Sequence, residues 1–183
     1  MQLYKKIDIP QFEIIQQKLL IIAQELMEPG KTDACQADQD QILSRVPELQ
    51  SYFQNNNLNW EIGRFFLTAP GESIPIHIDG NEQHPKFLAI NLPLTGCAGT
   101  KMMWWDNVSM SDVKDLSNYG VGPNKGGGVV LLDGQNKTVI DDLELIDPHV
   151  VRINLPHNIV NPTTHDRIVL SIRFNPQPVD LWN

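Results

Sequence analysis

The sequence predicts a mainly β domain with a helical N-terminal part, its strands forming an antiparallel sandwich or barrel. Three observations predict it. Between Leu58 and Phe174 the chain reads as eight short strand-like runs, each bounded by Gly, Pro, Asn or Asp. No long helical periodicity separates those runs, which argues against alternating β and α units. Before Leu58, apolar residues instead recur at helical spacing.

The helices come first. Ile15, Leu19, Ile22 and Leu26 fall at spacings of 4, 3 and 4, one stripe of a 3.6-residue repeat, and predict a helix over Pro10–Met27. Asp8 and Pro10 suit its start, and Pro29-Gly30 stops it. A second helix is expected over Gln39–Tyr52, with Ile42, Val46, Leu49 and Phe53 on one face. Both stripes read as faces packed on a sheet, and Asn55-Asn56-Asn57 as a loop.

The strands follow. Trp60–Ala69 closes at Pro70-Gly71, and Ile74–Asp79 ends at Gly80-Asn81. Then come Phe87–Leu94, Lys101–Trp105, Val129–Asp133, Thr138–Ile146, Val150–Leu155 and Arg167–Phe174. Residues 107–128 read as a surface connection or lid; their Gly-rich end has no Gly-Lys-Ser/Thr closure and does not match a phosphate loop. One domain over 1–183 results: a helical support (1–57), a β core (58–174) and a C-terminal tail (175–183).

Composition narrows the partners. With 41% apolar residues in 183, the chain can bury a sizeable core. A net charge of −8 without a Lys/Arg cluster argues against nucleic acid, which needs a basic face. Cys35 and Cys97 make no disulfide framework. The N-terminus lacks an apolar signal core, and no apolar stretch reaches membrane length. The expectation is a cytoplasmic, soluble protein with free thiols, acting on a small molecule or peptide.

One constellation carries chemistry. In His77-Ile78-Asp79 the strand period puts His77 and Asp79 on one face and Ile74, Ile76 and Ile78 on the other. His157 follows the strand-like run Val150–Leu155, and the chain returns through Pro162-Thr163-Thr164-His165-Asp166 to Arg167, ten positions on. Two imidazoles and one carboxylate suit an open-sided Fe(II) site. An arginine buried near such a site needs an anionic partner, and its fork of donors fits a carboxylate.

Histidine-x-aspartate, a later histidine and an arginine about ten residues beyond resemble the Fe(II)/2-oxoglutarate-dependent oxygenases, especially their prolyl- and aspartyl-hydroxylase-like branches. The resemblance covers roughly 58–174. It implies a double-stranded β-helix, a jelly-roll, cupin-like barrel with helices on one side. It also implies His77, Asp79 and His157 as iron ligands and Arg167 as the partner of the distal carboxylate of 2-oxoglutarate. The expected activity is hydroxylation of a small molecule or peptide side chain, with release of succinate and CO2.

Each assignment has a competitor. His165 with Arg173, eight positions apart, is the rival ligand and carboxylate partner. Arg173 shares strand parity with Arg167, so it is a candidate second anion contact or a partner for an acid. Asn91, polar within an apolar strand, is a candidate cosubstrate contact or a structural hydrogen-bonding group. Arg64 is a candidate for the substrate side, solvent exposure being its default. Only one ring of Trp104-Trp105 can face inward, and Trp105 is a candidate substrate contact. His84 and His149 read as surface or structural. Two other functions remain: a cupin-like barrel with a metal but no 2-oxoglutarate, serving as an isomerase or dioxygenase, and a non-catalytic binding or assembly protein.

Overall fold

Strict alternation in the run from Arg167 to Phe174 organises the fold. The structure, a computed structural model, describes residues 1–79, 88–106, 129–131 and 137–182. In chain order its elements are β1 (Tyr4–Lys6), α1 (Phe12–Leu26), β2 (Asp33–Ala37), α2 (Gln39–Arg45), α3 (Pro47–Asn55), β3 (Trp60–Thr68), β4 (His77–Asp79), β5 (Leu88–Thr95), β6 (Lys101–Asp106), β7 (Val129–Leu131), β8 (Thr138–Leu143), β9 (His149–Arg152), β10 (His157–Val160), β11 (Arg167–Phe174) and α4 (Val179–Trp182).

β11 lies inside a six-stranded antiparallel sheet of order β1-β9-β5-β11-β3-β2. Ile168, Leu170, Ile172 and Phe174 point out of one face into a core shared with the helices. Arg167, Val169, Ser171 and Arg173 point out of the other face. There Val169 joins Ala89 and Val151 of the same sheet against Met102, Trp104, Leu143 and Ile159 of a second sheet. That second sheet has the order β7-β4-β10-β6-β8. The result is two facing antiparallel sheets. Among the described residues they remain two sheets rather than one closed barrel.

The helices cover the outer face of the larger sheet. Ile15, Leu19 and Ile22 are fully buried as the stripe predicts, but Leu26 is 42% exposed and Ala23 takes its place. Leu19→Ala at this seam would cost roughly 2–5 kcal/mol. The second expected helix is split in two. Asp38 caps α2 by accepting from the Gln41 N–H at 2.8 Å. Pro47 then opens α3, because proline restricts the residue before it and tolerates only a helix's first turn. Ile42, Val46, Leu49 and Phe53 still share one buried stripe.

The N-terminal 57 residues are more than a helical support. β1 pairs with β9 and β2 pairs with β3, so they supply both edges of the larger sheet. β10, absent from the expected strands, begins at His157 itself. Asn161 holds the turn that follows. Its fully buried amide donates to the carbonyls of Thr68, Ala69 and His165, and its Oδ1 accepts from the Thr163 N–H and hydroxyl. The expected connection over 107–128 lies outside the described residues. No described helix is long and apolar enough to cross a membrane.

Candidate metal centre

His77 and His157 face one another across the β4–β10 pair. Their rings lie 4.3 Å apart between centroids, tilted by 51°. Asp79, two residues along the same face of β4, lies between the imidazoles. Its Oδ1 is 4.0 Å from His77 Nε2, and its Oδ2 is 4.0 Å from His157 Nε2. All three ligand atoms fall within 4.8 Å of one another.

The protonation pattern suits a cation. His77 Nδ1–H donates to the Pro75 carbonyl and His157 Nδ1–H to the Leu155 carbonyl, both at 2.8 Å. A carbonyl only accepts, so each Nδ1 carries a proton and each Nε2 is the ring nitrogen turned toward Asp79. Burial, and then the neighbouring His77, push the His157 pKa down to about 4. It therefore stays neutral, as a ligand must. Burial opposes charge on Asp79, but Arg173 and the two imidazoles outweigh it and hold the carboxyl below its usual range. Two imidazoles and a carboxylate are the donor set that open-sided Fe(II) centres use.

The other candidates fall into distinct places. Arg173 donates to Asp79 Oδ2 at 2.8 Å. Arg64, half-buried, lies on the same interior face, where burial and then Arg173 pull its pKa down. Asn91 is 6% exposed on that face too, its Oδ1 without a partner. Trp104, not Trp105, shares the face of His157: it pairs with His157 in register, and its indole N–H donates to the Arg152 carbonyl. The Trp105 N–H donates instead to Asn158 Oδ1, on the side turned away from His157. His165 is exposed in the turn after β10, outside the metal cluster. His149, read as surface or structural, is buried, with Nδ1 on the Asp147 carbonyl. His84 lies outside the described residues.

Arg167 occupies the opposite end of β11 from Arg173, about 20 Å of strand away. It is 2% exposed, and its Nε has no hydrogen-bond partner. Directly opposite in register is Thr68, fully buried, its hydroxyl also unpartnered. Cys97 lies nearby, but burial raises its thiol pKa, so it stays neutral and gives Arg167 no counter-charge. Gly96, at φ +62°, admits the close approach, since a Cβ there would collide with the Asp166 carbonyl. Sequence reasoning passed over Thr68. Its signal is the register, which sets it against Arg167.

Comparison with known proteins confirms the architecture. No protein-family model matches the chain, and no curated protein matches it. Among solved structures, the chain is similar to the viral collagen prolyl hydroxylase vCPH from Paramecium Bursaria Chlorella virus-1, solved as a 2-oxoglutarate complex. The two are 12% identical, over 94% of this chain and 96% of that one, with a TM-score of 0.50. It is also similar to HygX from Streptomyces hygroscopicus with iron bound: 10% identity, 93% and 81% coverage, TM-score 0.50. These likenesses show the fold, a double-stranded β-helix of the jelly-roll kind, and it is the fold the sequence resemblance implies.

Proposed function

We propose that this protein is an Fe(II)- and 2-oxoglutarate-dependent oxygenase that hydroxylates a small molecule or peptide side chain, releasing succinate and CO2. The observation that carries this is Arg167: a buried guanidinium with Thr68 opposite it and no ion pair to an anion among the described residues. An unpaired buried charge is costly, and this one is interior-facing on the strand whose other end meets the His77, Asp79 and His157 cluster. A dicarboxylate reaching from the metal toward Arg167 and Thr68 would relieve it.

Iron with the bound keto acid supplies the oxygen chemistry. The chain does the rest. His77 and His157 hold the ion through Nε2, with tautomers fixed by the Pro75 and Leu155 carbonyls. Asp79 brings the one negative charge of the ligand set. Arg167 and Thr68 take the distal carboxylate by charge-assisted and neutral hydrogen bonds. Trp104, Met102, Ile159 and Val169 keep the space between the sheets dry.

The test is anaerobic titration of the purified protein with Fe(II) and 2-oxoglutarate. A weak visible charge-transfer band, with quenching of tryptophan fluorescence, is the expected result. Arg167→Met should bind Fe(II) as the wild type does and give no band. A wild-type protein that binds Fe(II) but shows neither band nor quenching would leave a metal-binding barrel without this cosubstrate.

A further inference from the structure

A cleft opens at one end of the larger sheet, on its helix side. Its volume is about 610 Å³, the size of a small-molecule site. Met27, Leu67, Pro70 and Ile168 give it apolar walls, and the turn 164–166 closes one side. Leu67 and Ile168 belong to the helix-side core, so the cleft lies on the opposite face of β11 from Arg167. The C-terminal turn of α1 overhangs it through Gln24 and Met27. None of His77, Asp79 and His157 lines it.

Three observations give this cleft a negative character. Asp166 accepts from the Gly30 N–H through Oδ2 at 2.9 Å, but its Oδ1 is buried without a hydrogen-bond partner. α1 has no basic residue in its last turn, and no hydrogen bond among the described residues reaches the carbonyls of Gln24, Glu25 or Leu26. Those carbonyls are the negative end of the helix dipole. Among the described residues no lysine or arginine lines the cleft. Lys31, beside Gly30, is paired with Glu28 at 3.5 Å instead. A carboxylate oxygen lacking a donor, next to the negative end of a helix and above apolar walls, complements a ligand that joins a cation to an apolar body.

We propose that this cleft binds a small organic cation, a primary amine carrying an aliphatic or aromatic body. The ammonium group donates to Asp166 Oδ1 and lies off the C-terminus of α1, while the body covers Met27, Leu67 and Ile168. Removing that apolar surface from water supplies affinity, and the charged group supplies selectivity. The site is independent of the oxygenase reading, since it uses other residues and the other face of the sheet. It is also hidden from sequence reading, because Gly30 and Asp166 are 136 positions apart.

The experiment titrates full-length, metal-free protein with phenethylamine, which is protonated at neutral pH, and reads affinity by calorimetry. Phenethyl alcohol and hydrocinnamate are the neutral and anionic controls of similar shape. The amine should bind about tenfold more tightly than either control. Asp166→Asn keeps an oxygen for the Gly30 N–H and removes the charge, so it should bring amine affinity down to that of the alcohol. Gln24→Lys, at an exposed position of α1, sets an ammonium of the protein at the rim and should weaken the amine about tenfold. His157→Ala should bind the amine as the wild type does. The proposal is overturned if the wild type binds the amine no better than the alcohol, or if either variant, folded by circular dichroism, keeps the full preference. Loss of amine binding in His157→Ala overturns it as well, by placing the amine in the metal centre. The titration contains no metal, so its result stands apart from that of the Fe(II) and 2-oxoglutarate titration.

Discussion

The Arg173 guanidinium donates to Asp79 Oδ2 at 2.8 Å, although the two residues lie on different sheets. Both side chains are largely buried, at 10% and 14% exposure. The pair joins the sheets at the metal end. It also occupies one carboxylate oxygen, which leaves Oδ1 the freer of the two to meet an ion.

Arg173→Met leaves Asp79 buried without its counter-charge. Loss of one partner of a buried pair costs about 3 kcal/mol or more. Urea unfolding of metal-free protein should show that loss. Saturating Mn(II) should restore part of it, because the ion takes over the compensation of Asp79. Equal stability of variant and wild type without metal would mean that the pair contributes nothing.

The third ligand can be decided by two alanines. His157→Ala should lower affinity for Mn(II) or Fe(II) by more than about 100-fold, the upper end of what a lost supporting partner alone costs. His165→Ala, in the exposed turn, should leave it unchanged. Calorimetric titration of both variants reads the answer, and metal loss in His165→Ala alone would reverse the assignment.

Acid should weaken the metal-free fold in a defined window. Unfolded, His157 titrates near its ordinary value of 6.5; folded, near pH 4. Above about pH 6.5 both states are neutral there and the residue adds no pH dependence. Between about 6.5 and 4 the unfolded chain takes a proton that the folded one refuses, so stability falls as pH falls, by up to about 3 kcal/mol. His149, also held down by burial, acts in the same direction. His157→Gln should therefore flatten, not abolish, the slope of unfolding free energy between pH 7 and pH 4. An unchanged slope would remove His157 as a cause.

Asn161→Ala strips the turn that returns the chain to Arg167. Three carbonyls lose their donor and two donors lose their acceptor. A stability loss of roughly 2–4 kcal/mol is expected, with weaker 2-oxoglutarate binding than the stability loss alone explains. Denaturant melts and calorimetry on the same preparation separate the two effects.

The chain advertised its period-2 features and concealed its pairings. His77 and Asp79 were legible as one face because strand alternation is local. β11 was legible at both ends, an apolar run opened by Arg167 with Arg173 at the same strand parity. The edges were not. Asp33-Ala34-Cys35-Gln36-Ala37 has no apolar pattern and becomes a strand only because β3 offers it a ladder. β10 escaped notice since it is four residues long and starts at a candidate ligand. The face of Trp105 could not be read because the β6–β8 register shifts between Trp104 and Trp105. The contact between Arg173 and Asp79 depends on how two sheets stack, which no local pattern encodes. Thr68 emerged only once its strand's partner was known.

The central place of β11 bears on which changes the chain can tolerate. Both arginines ride on one strand that is hydrogen-bonded on either side, so their separation behaves as a fixed ruler. Insertions in the surface connections can vary without altering that length. A single residue inserted between Ile168 and Ile172 would invert every side chain beyond it. Arg173 would then turn into the helix core, and Phe174 would face the His77, Asp79 and His157 cluster. Natural length variation should therefore be crowded into the loops and absent from these few positions.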